Sequence, residues 1–233
     1  MIRKILITKE GKKFYVGDTG RDFHTQFGFI RKSDLKSSGK LVKTNKGEQM
    51  RILDPSFIDL FRKIKRHAQI ITPKDIGMII SNTGVNKKSY VVEFGSGSGA
   101  LTCFLGHIAK KVSTYDIDDR SLEATRENVK LLKLKNVDVN KADCYAKTEE
   151  TKDKNADLVA IDLPDPWKAL DNAVRAAKTG GFIISNEARK KGLLVLRTIE
   201  LIEREWVLDK DRARPDFRGL GHTGFLTFAR KLE

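Results

Sequence analysis

The apolar residues of this chain change their period as the sequence proceeds. Over residues 1–53 they cluster or alternate in short runs, Ile2–Thr8, Lys13–Gly17, Gln26–Arg31 and Gln49–Leu53. Glu10-Gly11, Asp18-Thr19-Gly20, Ser37-Ser38-Gly39 and Gly47 break these runs. Period-two patterning between turn residues predicts strands, and hence a small all-β domain. From Asp54 the period lengthens. Phe57, Leu60, Phe61 and Ile64 share one helical face, with Asp54 as the expected cap and Pro55 at the first position. Residues 54–88 read as a helical linker, with a further helix over Asp75–Ser81 ahead of Asn82-Thr83-Gly84.

Residues 89–233 alternate between the two patterns. Tyr90–Phe94, Lys111–Tyr115, Val137–Lys141, Asp157–Ile161 and Phe182–Ser185 read as strands. Leu101–Lys110, Ser121–Leu134, Lys168–Lys178 and Lys191–Glu203 read as helices, and the charged Lys147–Asn155 run as helix or loop. Glu205–Asp209 and Gly224–Ala229 follow without a full helix between them, which predicts an antiparallel edge pair. The expected fold is α/β: a Rossmann-like, mostly parallel sheet with helices on both faces, behind a small N-terminal β domain.

The most informative stretch closes the first of these strands. Glu93-Phe94-Gly95-Ser96-Gly97-Ser98-Gly99 places three glycines at alternate positions between a buried strand and a helix. Glycine allows a sharp turn and a close ligand approach, and the N–H groups of the next helix start face whatever binds there. The spacing is GxGxG, not the GxGxxG of dinucleotide binders. Asp116 ends the second strand about 20 residues on, where an acid holds ribose hydroxyls. A nucleotide-type cofactor is the functional reading; a plain glycine turn is the structural one.

Composition narrows the class. The chain has 233 residues, enough for one ordinary domain and a small extra one. No run approaches the ~20 apolar residues of a membrane span. Met1–Ile7 is too short and mixed for a signal peptide. Cys103 and Cys144 show no metal-ligand spacing, so an intracellular, cytoplasmic protein with no metal is expected. Net charge is +14, unevenly spread: residues 1–88 hold 20 Lys/Arg against 8 Asp/Glu, residues 89–233 hold 25 against 23. A concentrated positive field suits nucleic acid. The Arg62, Lys63, Lys65, Arg66 cluster fits phosphate binding and equally fits a favourable helix C-terminus.

Asp116, Asp143 and Asp162 each follow an expected strand, so the α/β topology brings all three to the rim where the glycine loop lies. Asp162 begins Asp162-Leu163-Pro164-Asp165-Pro166-Trp167, a segment the prolines stiffen. An acceptor and a large aromatic on a stiff turn suit a planar, amine-bearing ring; a rigid connection with Asp165 capping the next helix is the alternative.

This hexapeptide resembles the signature of the tRNA (adenine-N1)-methyltransferases, which modify adenine 58, and in some archaeal members 57, in the T loop. They are class I S-adenosylmethionine-dependent enzymes. The likeness extends to Phe23-His24-Thr25, Thr44-Asn45-Lys46-Gly47, Gln69-Ile70-Ile71, Pro73-Lys74-Asp75 and Gly221-His222-Thr223-Gly224. It implies that Gly95, Ser98, Gly99, Ala100 and Leu101, with Gln69, would hold the methionine end of the cofactor. Asp116 would take the ribose, Asp143-Cys144 would lie along the adenine, and Asp162 would bridge the cofactor site and the target base as the catalytic acceptor. Thr72, Trp167 and His222 are the substrate-side candidates. Thr72 stands where many members carry a ring, and His222 reads either as a base contact or as a hydrogen-bonded histidine fixing a strand start. The resemblance also implies a tRNA partner and a homotetramer. The rival readings are a class I methyltransferase for another RNA, a nicotinamide oxidoreductase, and a tRNA-binding protein with a non-catalytic methyltransferase domain.

Overall fold

The computed structural model describes residues 2–67, 69–146, 155–185, 192–209, 212–217, 219 and 221–233. Two compact units emerge, Met1–Ile64 and Lys65–Glu233.

In the first unit, β1 (Lys4–Thr8), β2 (Lys13–Val16), β3 (Phe23–Thr25), β4 (Gly28–Ile30), β5 (Leu41–Lys43) and β6 (Gln49–Leu53) precede a short helix, α1 (Phe57–Phe61). The order β2-β1-β6-β5 forms an antiparallel sheet, and β3 pairs with β4 alone. Leu6, Val16, Ile30, Leu35, Met50 and Ile52 make the core, as the period-two pattern requires. Two local expectations are corrected. Gln26–Arg31 is not one strand: Gly28 takes φ +101° and Thr25 Oγ1 accepts the Phe27 N–H at 3.1 Å, which folds the run into the β3–β4 hairpin. The helix starts at Ser56 instead of Asp54, because Ser56 and Asp59 form a reciprocal capping box.

The second unit contains α2 (Pro73–Thr83), β7 (Tyr90–Phe94), α3 (Ala100–Ile108), β8 (Lys111–Asp116), α4 (Asp119–Leu131) and β9 (Val137–Lys141). There follow β10 (Ala156–Ile161), α5 (Pro166–Ala176), β11 (Ala177–Ser185), β12 (Leu193–Glu200), β13 (Trp206–Asp209), β14 (Arg212–Pro215) and β15 (Phe225–Lys231). The main sheet runs β12-β15-β11-β10-β7-β8-β9. Strands β7 to β11 are parallel, and β15 enters antiparallel between β11 and β12. This is a Rossmann-like sheet with antiparallel edge strands. Its central strands are apolar on both faces because helices cover both. α5 buries Ala169, Leu170, Ala173 and Ala176 against that core.

The C-terminal third departs from expectation. Leu193–Glu200, expected as part of a helix, is a strand that pairs along its length with β15, and the Thr198 and Thr227 hydroxyls meet at 3.0 Å. Its apolar residues fit a helical period, but the free edge of β15 offers a full ladder of backbone partners. β13 does not join β15 as an edge pair; it forms its own two-stranded sheet with β14. The expected Lys147–Asn155 element lies outside the described residues except for Asn155, as does Lys191, the first residue of the expected Lys191–Glu203 helix.

Candidate active site

The C-terminal ends of β7, β8 and β10 converge where sequence reading expects ligands. Gly95 holds φ +91° and donates its N–H to Tyr115 O at 2.8 Å, while Asp162 N–H bonds to Phe94 O at 2.8 Å. A Cβ at Gly95 would lie 2.1 Å from the Asp162 carbonyl oxygen, so only glycine allows the loop to pass. Gly97, at φ +49°, has open space where a Cβ would stand.

The loop borders a cavity of about 720 Å³. Gln69, Thr72, Gly95, Leu101, Asp116 and Asp162 line it, which brings together six of the expected site residues. The other expected residues serve different contacts. Ser98 is 2% exposed, and its hydroxyl accepts the His67 N–H at 2.7 Å. Gly99, at φ +73°, is the N-cap of α3, and Ala100 begins that helix and is buried. Asp143 accepts the Tyr145 N–H at 2.9 Å, and Cys144 is buried with its thiol pKa pushed up to about 12 by burial. Trp167 is half exposed and outside the cavity wall, and so is His222.

The carboxylates are held firmly. Asp116 Oδ2 accepts from Gly97 N at 3.0 Å and Ser96 Oγ at 3.2 Å, while Oδ1 accepts from Asp118 N at 3.0 Å. Asp162 keeps a large accessible surface, yet that surface is cavity wall, and the protein around its carboxyl strips enough water to raise its pKa. Under the loop, Glu93 is 1% exposed on β7, where burial raises its pKa to about 8 against an opposing hydrogen bond from Thr102. Among the described residues, no Lys, Arg or His lines the cavity. It is an acid-walled site.

Three features were not anticipated from the sequence. Asn128 on α4 is buried and joins distant segments: its Oδ1 accepts from Lys65 N, and its Nδ2 donates to Lys65 O and Ser98 O, each at 2.8 Å. Lys74 and Asp75 form a buried ion pair at 2.8 Å. Lys74 also donates to Leu201 O and Thr223 Oγ1, and Asp75 accepts from Thr72 and Thr223. Thr72, the last residue of the 69–72 stretch, is thereby anchored to the start of α2. Ile117, 62% exposed, lines the cavity beside Asp116. Its signal was an apolar residue at a rim position that the core does not need. A second hollow, lined by Arg21, Phe23, His24 and Lys32 in the first unit, has no glycine loop.

A glycine loop after the first strand of this sheet, an acid at the end of the second and a further carboxylate after β10 mark a class I methyltransferase fold. The chain belongs to the tRNA methyltransferase complex GCD14 subunit family, whose model matches residues 59–207. The tRNA (adenine(57)-N(1)/adenine(58)-N(1))-methyltransferase TrmI of Methanocaldococcus jannaschii is 30% identical, over 97% of this chain and 94% of that protein. The tRNA (adenine(58)-N(1))-methyltransferase TrmI of Thermus thermophilus is 29% identical, over 97% and 96%. Among solved structures, a SAM-dependent O-methyltransferase from Thermotoga maritima superposes with a TM-score of 0.81 at 26% identity, covering 100% of this chain and 93% of the other. The tRNA (m1A58) methyltransferase TrmI of Aquifex aeolicus gives 0.77 at 24% identity, over 99% and 97%, a likeness of fold.

Proposed function

We propose that this chain transfers the methyl group of S-adenosylmethionine to N1 of adenine 58, with adenine 57 a second target, in the T loop of tRNA. The observation that carries the reading is the acid-walled cavity closed by the glycine loop. Asp116 and Asp162, with no cation facing them, suit a positively charged ligand and disfavour the phosphates of a dinucleotide. The residues fit the cofactor: Gly97 leaves room, Gln69 and Leu101 line the methionine side, Asp116 retains acceptor capacity for a diol, and Ile117 offers an apolar edge to the adenine. When bound, S-adenosylmethionine supplies an electrophilic methyl on a sulfonium.

Asp162 does the work on the substrate side. Adenine N1 is a weak nucleophile whose lone pair forms the new N–C bond as the C–S bond breaks, leaving a cationic ring. A carboxylate accepting from the N6 amine orients the ring behind the methyl carbon and stabilises the growing charge. It then takes the N6 proton and passes it to solvent. A raised pKa suits that exchange, and it places an acid limb above the ordinary aspartate range, because protonated Asp162 has lost the charge that steadies the cationic ring and cannot take the N6 proton. N1 of a T-loop adenine lies within a folded tRNA, so the base must leave its stack to react.

Labelled methyl transfer to unmodified tRNA transcripts, with T-loop nucleosides read by mass spectrometry, tests the activity. N1-methyladenine at 58, alone or with 57, is the expected result; cofactor binding without transfer to any tRNA would reject it. Asp162→Ala should lower turnover at saturating cofactor and tRNA by about 10²–10³-fold; near-full turnover would remove Asp162 from this role. Among the described residues no helix is long and apolar enough to cross a membrane. A cytoplasmic homotetramer completes the proposal, and light scattering reads its mass.

A further inference from the structure

The order of the sheet divides the cavity. The glycine loop follows β7 and Asp116 ends β8 on one side; Asp162 follows β10, and the start of β15 lies beyond β11 on the other. With the cofactor on the β7–β8 side, the target base is left the β10–β11–β15 side. Two aromatic rings are among the residues lining the cavity, Tyr145 and Phe225. Tyr145 follows β9, beyond Asp116, and its hydroxyl accepts the Asp165 N–H at 3.2 Å. Phe225 opens β15 on the substrate side and keeps half its surface exposed.

A half-exposed phenylalanine at a cavity wall contributes little to a core, and something holds it there. His222 packs edge-on against Phe225 with ring centroids 5.0 Å apart, and His222 Nδ1 meets Glu200 Oε1 at 2.5 Å. Thr223, between them in sequence, is tied to Asp75 and Lys74. The neighbouring wall residue Thr72 spends its hydroxyl on Asp75 at 2.7 Å and has no flat surface to give. We infer that Phe225 is the base-stacking residue of this enzyme: its ring covers one face of the target adenine while Asp162 holds the amine edge, with His222 a positioning residue behind it. An extruded base is read in this way, by hydrogen bonds at its edge and an aromatic or apolar surface on its face.

The inference rests on the proposed adenine methylation, and its test separates the two. Transfer to tRNA is measured at saturating cofactor for the wild type, Phe225→Leu and Phe225→Tyr, with cofactor affinity and melting temperature followed in parallel. Phe225→Leu keeps the apolar bulk but removes the ring. It should lower kcat/KM for tRNA roughly 10-fold or more with unchanged cofactor affinity and melting temperature, and Phe225→Tyr should restore it. A leucine variant as active as the wild type, or a tyrosine variant as poor as leucine, would overturn the inference alone. A wild-type enzyme that modifies no tRNA would overturn the proposed function and this inference with it.

Discussion

Glu93, buried on β7, sets a carboxyl where the sheet has no water to give it. A carboxyl in the middle of a central strand loses its hydration, and the Thr102 hydroxyl returns only part of that loss. Its folded pKa, about 8, lies above the ordinary glutamate value of 4.5, so the folded state binds the extra proton. The contribution to stability is therefore present below pH 4.5 and fades as pH rises to 8. Glu93→Gln keeps an acceptor for Thr102 and has no proton to lose. It should be more stable than the wild type at pH 8 by about 1–3 kcal/mol and nearly equal at pH 4.5. Urea melts at the two pH values measure the difference; a gap independent of pH would show that Glu93 is not the titrating group.

At the level of elements, the segment ahead of α2 depends on contacts far away in sequence. Asn128 ties the backbone of Lys65 to the carbonyl of Ser98, the residue after Gly97. Asn128→Ala strands the buried Ser98 carbonyl and the half-buried N–H and C=O of Lys65, and should cost about 2–3 kcal/mol in thermal melts. It should also weaken cofactor binding about 10-fold, by loosening Lys65, which lies shortly before Gln69 in the chain, and the Ser98 end of the glycine loop. Asn128→Asp, which keeps the acceptor but sets a carboxylate against two carbonyl oxygens, should cost at least as much; an alanine variant with wild-type affinity would confine Asn128 to folding. Much of this architecture was readable beforehand. Val137–Lys141 is a strand with the expected bounds, and Gly95 and Asp116 occupy the rim as their spacing implied. Local signals served there because the loop and the strand ends are local features. Asn128 and Lys74 were not legible, since an amide on a helix and a lysine after a proline show nothing of partners 63 and 149 residues away. Leu193–Glu200 misled for the same reason: its structure follows from β15, which comes later in the chain.

The whole molecule is electrically lopsided, with most of its positive excess ahead of the glycine loop. Phosphate contacts from that portion would make tRNA affinity fall with salt whatever the base sequence. Arg62 and Arg66 are both exposed. Their joint replacement by alanine should flatten the slope of log affinity against log salt by about 1–2, with turnover at saturating tRNA unchanged. Fluorescence anisotropy across a salt series measures this, and an unaltered slope would clear both residues of phosphate contact. The sheet order has a consequence for the birth of the molecule. β15 sits between β11 and β12, so two strands made earlier by the ribosome must wait for residues 225–231 before either gains that neighbour. Until then the nascent chain carries two unsealed borders, one of them bearing Leu194 and Leu196. The same late strand brings Phe225 to the cavity. Synthesis thus closes the sheet and finishes one wall of the cavity in one event, so a stalled product would be both sticky and incomplete.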